Sequence, residues 1–169
     1  CLRSVVEQTV FATHHYIDTA NEPPCEGGFP HFPNLIRVLA NAPDDEVVVS
    51  LDGDDWLAHP HALERVQNAH DLGALVTYGS FRYADGRPGF AAPPQGPVRR
   101  VPWTTTHLKT FRAGLFRRID HAHLKGPDGL WLEHARDHAL MFPLIEMAGP
   151  RAVFIPDVLM VYNAANSAE

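Results

Sequence analysis

The chain has 169 residues, 45% hydrophobic and 20% charged, enough for one domain, residues 1–169, with a real apolar core. Its formal net charge of -6 excludes a sequence-independent grip on nucleic acid, which needs clustered Lys and Arg on one face. No apolar run approaches the ~18 residues of a membrane span, and two cysteines, Cys1 and Cys25, make no disulfide framework, so a reducing compartment is expected.

In chain order, Cys1 to Thr9 reads as the back half of an amphipathic helix, with Leu2, Val5 and Val6 on one face. The chain opens without Met, and the expectation is a partial domain lacking its first strand. His14 to Asp18 is a candidate strand ending in an acid, and the proline- and glycine-rich residues 19–33 form a loop. Leu35, Val38 and Leu39 predict a helix over 34–42, stopped by Pro43 and Asp44. Residues 46–51, with the β-branched Val47, Val48 and Val49 at their centre, read as a strand buried on both faces. After Pro60, the spacing of Ala62, Leu63, Val66 and Ala69 predicts a helix to about Leu72. Residues 73–83 read as a strand carrying Tyr78, Phe81 and Tyr83, followed by an Asp85-Gly86 turn and a proline-rich loop over 87–102. Residues 110–119 fit a strand or a short helix equally. A long helical pattern spans 130–148 around Pro143, and strands at 152–155 and 158–162 flank Pro156. Alternating strands and helices indicate an α/β sandwich with a largely parallel sheet. Ligands bind beyond the carboxyl ends of such strands, where Asp18 and Asp52 sit.

The strand at 46–51 runs into Asp52-Gly53-Asp54-Asp55-Trp56. Three carboxylates in four positions repel one another unless a cation intervenes. Gly53 permits a sharp turn, so that the acids can converge, and hard oxygen donors on such a turn suit Mg or Mn. Helix capping would account for one of the three acids. The further acidic ligands of an EF-hand are absent.

The segment Leu51-Asp52-Gly53-Asp54-Asp55-Trp56-Leu57 resembles the D-x-D segment of family 2 glycosyltransferases with the GT-A fold. Thr106-His107-Leu108-Lys109-Thr110-Phe111-Arg112 resembles their mid-domain segment, and residues 135–149 and 155–163 resemble their C-terminal part. The resemblance implies a Rossmann-like three-layer GT-A sandwich with a mostly parallel central sheet. It also implies a metal-dependent, inverting transfer of a hexose or N-acetylhexosamine from a nucleoside-diphosphate sugar, UDP-linked in the first instance. The acceptor would be a glycan, lipid-linked or protein hydroxyl. Carried over by position, Asp52 faces ribose or metal, Asp54 ligates Mn or Mg, and Asp55 is a third member of the metal group. Asp137 falls at the catalytic base, although Arg136 stands where the family has an acid, and Asp18 matches an acid that contacts the nucleotide. A cytoplasmic site of action follows, at the inner face of a membrane where the acceptor is lipid-linked.

His107 and Arg112 are within chain reach of donor phosphates, with Lys109 read as solvent-facing. Trp103 and Trp131 are aromatic faces suited to a sugar ring, Trp131 also as the start of an amphipathic helix. Two other readings stay open. One is a catalytically silent nucleotide-binding or scaffold domain. The other is a zinc hydrolase using His134 and His138 at i and i+4, although Ala135 stands where a metalloprotease helix carries its Glu.

Overall fold

The computed structural model describes residues 1–16 and 30–166. Asp18 therefore lies outside the described residues, and His14 to Tyr16 form no strand. The helices are α1 (Leu2–Val6), α2 (His31–Leu39), α3 (Ala62–Asp71), α4 (Ala113–Phe116) and α5 (Arg136–Ala148). The strands are β1 (Val47–Ser50), β2 (Trp56–Leu57), β3 (Val76–Tyr83), β4 (Lys109–Arg112) and β5 (Ala152–Tyr162). Several boundaries move from expectation. α2 begins three residues early, at His31. The undecided stretch after residue 109 is a strand and then a helical turn. α5 begins at Arg136, after Ala135 in a left-handed conformation (φ 55°), so Trp131 and His134 lie outside it.

The sheet order is β1-β4-β3-β5-β2. Only β3 and β5 pair in parallel; β1–β4, β3–β4 and β2–β5 are antiparallel, so the expected mostly parallel sheet is corrected. The alternation of strands and helices does give β1, β3 and β5 one direction. β4 enters from the proline-rich loop rather than from a crossover helix, and it wedges between β1 and β3 running the other way. The two strand candidates around Pro156 are one strand. Its pairing jumps from Gly79↔Ile155 to Ser80↔Val158, leaving Pro156 and Asp157 unpaired and exposed in the irregularity, where a missing N–H costs no ladder bond. Gly79 sits at this crossing, and a Cβ there would come within 2.6 Å of the Ile155 carbonyl oxygen.

Side-chain alternation sends β-strand residues to opposite faces, each covered by helix. On one face Val76, Tyr78 and Phe111 pack with Phe32, Leu140, Met141 and Leu144 from α2 and α5. On the other, Leu57, Phe81, Ile155 and Met160 pack with Leu63, Val66 and Ala69. Among the described residues no helix is long and apolar enough to cross a membrane.

Polar groups also bind α3 to the sheet. The buried His70 ring bridges the Ala74 carbonyl (2.9 Å) and Thr110 Oγ1 (2.8 Å), and Thr110 in turn meets Thr77 Oγ1 at 2.6 Å. The carbonyl can only accept, so Nδ1 carries the proton and Nε2 accepts from Thr110. Thr77 then donates to Thr110. Burial pushes the His70 pKa down to about 4, outweighing the Ala74 hydrogen bond, with the nearby Arg112 charge acting in the same downward direction. The unfolded chain takes up this proton below about pH 6.5 and the folded one resists until about 4, so stability falls as pH drops through that window. In His70→Gln, urea unfolding should show a loss between pH 7 and pH 5 smaller than wild type's by about 2 kcal/mol. An unchanged pH dependence would contradict a neutral buried His70.

Candidate functional site

β1 ends at Ser50, and the chain turns through Asp52 to Asp55 before rejoining the sheet as β2. The turn closes on a hydrogen bond from the Asp55 N–H to the Asp52 carbonyl (3.1 Å). Gly53 is not in the left-handed region, and a Cβ there would meet nothing within 4 Å. The turn therefore does not depend on glycine's conformational freedom, contrary to the expectation from sequence. The antiparallel pairing of Trp56 with Val161 carries Asp55 to the end of β5. There its Oδ1 accepts the Asn163 N–H at 2.8 Å.

Asp55 is wholly buried, and its Oδ2 has no hydrogen-bond partner among the described residues. Burial pushes its pKa up to about 6. The Asn163 N–H pulls the other way, Asp52 and Asp54 add upward pressure, and Lys109 partly offsets them. Orphaned carboxylate oxygens in a dry setting are costly. One oxygen each from Asp52 and Asp55 and one ring nitrogen of His107 lie within 4.8 Å of one another. Two carboxylate oxygens and an imidazole nitrogen make a donor set that could hold a divalent ion. Asp54 is exposed and stands outside the group, because the turn directs Asp55 inward in its place.

His107 precedes β4, its ring stacked on Tyr162 (centroids 5.7 Å apart, planes at 20°) and edge-on to Phe81. Burial lowers its pKa to about 4, helped by Lys109 and opposed by Asp137 and Asp52. The imidazole is thus neutral near pH 7, the form that ligates metal. Lys109, two residues on, is buried rather than solvent-facing, and its Nζ donates to Asp137 Oδ1. Asp137 lies in the first turn of α5, its side chain half-exposed. Burial presses its pKa upward, but the Lys109 charge and hydrogen bond, with His107 and Arg136, hold it below the ordinary carboxylate value.

No protein-family model matches the chain, and no curated protein matches it. Among solved structures, the crystal structure of S. aureus TarS 1–349, a glycosyltransferase, aligns with a TM-score of 0.55 at 17% identity. The alignment covers 80% of this chain and 40% of TarS 1–349, so the chain spans well under half of that protein's length. The likeness is one of fold.

Of the residues singled out from sequence, Asp52, Asp55, His107 and Asp137 come to one end of the sheet. Arg112 does not join them. It pairs with Val47 at the start of β1, roughly 10 Å along the strand from Lys109, and its guanidinium is spent on the Asp45 and His70 carbonyls. His134 precedes α5, and His138 packs on Trp103 (4.4 Å) and Phe142, so the two histidines do not share a helical face. Trp131 lies under Lys125, whose Nζ is 4.5 Å from the ring centroid. Lys109 was legible in principle: it has the same strand parity as Phe111, hence the same buried face. The Asn163 N–H is a backbone group and leaves no trace in the sequence.

The buried Asp55 charge makes a sharp stability prediction. The carboxyl ionises near pH 6 in the fold and near the ordinary aspartate value of 3.8 in the unfolded chain, so its stabilising contribution is present at low pH and lost as pH rises through 6. At pH 7.5 without metal, Asp55→Asn should therefore be more stable than wild type by about 1–3 kcal/mol in urea unfolding. Mn should raise the melting temperature of wild type but not of the variant. A less stable metal-free variant would contradict the unpaired buried charge.

Proposed function

We propose that this chain is part of a metal-dependent, inverting glycosyltransferase acting on a nucleoside-diphosphate sugar, UDP-linked in the first instance. One observation carries the reading: Asp52, Asp55 and His107 converge beside an ionised Asp137 at one end of a glycosyltransferase-like fold. Asp52, Asp55 and His107 would hold Mn or Mg, which, when bound, supplies Lewis-acid stabilisation of the departing diphosphate.

The remaining work falls to the chain's own groups. Asp137 has one oxygen tied to Lys109, and its Oδ2 has no hydrogen bond among the described residues. That oxygen accepts the proton of an acceptor hydroxyl as the hydroxyl oxygen attacks the anomeric carbon. The bond between the anomeric carbon and the diphosphate oxygen breaks, its electron pair leaves with the nucleotide, and direct displacement inverts the centre. The transferred group is a hexose or N-acetylhexosamine, and the acceptor a glycan, lipid-linked or protein hydroxyl. The reaction belongs on the cytoplasmic side, against the inner face of a membrane where the acceptor is lipid-linked.

The full chain, incubated with Mn or Mg and a panel of nucleotide sugars, should release nucleoside diphosphate. Asp137→Asn should lower kcat by about 10²–10⁴-fold, with donor affinity by calorimetry within about threefold of wild type, as expected for a group that acts only in the chemical step. Failure to turn over every donor, or an Asp137→Asn enzyme with full kcat, would overturn the proposal.

A further inference from the structure

Lys109 is a buried lysine whose partner is half-exposed, a placement that needs a reason. A side chain with a strongly hydrated ammonium and four flexible methylenes rarely enters an interior unless paired. β4 explains how it arrives there. Thr110 faces α3, where it meets His70, so Lys109 and Phe111 face the opposite layer. Phe111 packs among α2 and α5 residues in the apolar core. Lys109 stands at the strand's leading end, beside the Ser50 pairing and just before the acidic turn, and its Nζ reaches Asp137 in the first turn of α5.

The ammonium serves more than one carboxylate. It donates to Asp137 Oδ1 and also acts electrostatically on Asp55. No other lysine or arginine is buried among the described residues. The pair joins one edge of the acidic group to the helix that bears the base. The Asp137 carboxylate has no second hydrogen bond among the described residues, and α5 has no side-chain cap at Ala135. Without Lys109 the Asp137 carboxylate would be free to rotate at a helix start.

Resting on the glycosyl-transfer reading, we propose that Lys109 is a positioning residue. It fixes one oxygen of Asp137 so that the other is presented, ionised, toward the acceptor. Lys109 does not touch the substrate and acts only through Asp137. The groups that face Asp137 are Lys109 and His107 from the segment entering β4 and Arg136 on its own helix.

The test uses the full chain as wild type, Lys109→Met, Lys109→Arg and Asp137→Asn. With donor and Mn, Lys109→Met should lose about 10²-fold or more in kcat, with KM for the donor changed less than about threefold. Lys109→Arg, which keeps the charge and a donor, should recover at least tenfold of that loss. A Lys109→Met enzyme within threefold of wild-type kcat would overturn the proposal, as would loss of kcat with no recovery in a folded Lys109→Arg. A second readout needs no turnover and no Lys109→Met protein. Carbon-13 NMR of the Asp137 carboxyl, assigned by its disappearance in Asp137→Asn, should titrate in metal-free wild type below the ordinary aspartate range. A wild-type midpoint at or above that range would also overturn it. If wild type transfers no sugar while Asp137 titrates low, the glycosyl-transfer reading fails and the Lys109 restraint stands. If wild type is active and Asp137 titrates normally, the reverse holds.

Discussion

The candidate site is organised around a carboxylate sealed away from water. Asp55 is wholly buried, with one oxygen on the Asn163 N–H and the other without a partner among the described residues. That single hydrogen bond spans 108 residues of chain and joins the turn after β1 to the end of β5. Both flanks of the acidic turn are also fixed in the sheet, β1 by its ladder with β4 and β2 by its ladder with β5. Asp52 and Asp54 press on the buried Asp55 carboxylate from the same turn, a negative charge that a cation would offset.

Charge is distributed around this point in a graded way. Asp52 is exposed and close to bulk water, whereas Asp55 is buried with its pKa pushed up to about 6. His107 is held neutral near pH 7 by burial and by the adjacent ammonium. Lys109 supplies the one buried positive charge among the described residues, and it is committed to Asp137. Two carboxylates in neighbouring environments thus have opposite pKa shifts: Asp55 is raised by desolvation, and Asp137 is lowered by its ion pair. Such a separation is how one site divides cation binding from proton transfer.

The strongly patterned parts of this arrangement were legible in the sequence. The β-branched run before Asp52 does form a strand, and the amphipathic segment after Pro60 does form α3. Helices cover both faces of the sheet as strand–helix alternation implies. Strand direction was not legible, because a β4 delivered by an irregular loop gives no sign of which end of the sheet it enters from. Nor was the start of α5, where hydrophobic periodicity begins at residue 130 but a left-handed Ala135 postpones the helix to Arg136. Within the acidic turn, composition marked three acids but not that Asp55 is the one buried. That choice is made by the pairing of Trp56 with Val161, a long-range contact. Lys109 runs against composition, since a lysine is ordinarily a surface residue, although its parity with Phe111 places it on a buried face.

The central claim, that Asp52, Asp55 and His107 form one cation site, is tested most directly by proton NMR of the histidine imidazoles during titration with substoichiometric Mn, a paramagnetic probe. A shared cation site predicts that the His107 ring resonances broaden first and most, and that they sharpen again when excess Mg competes. Broadening that begins at the exposed His61 or His134 and leaves His107 sharp would contradict it.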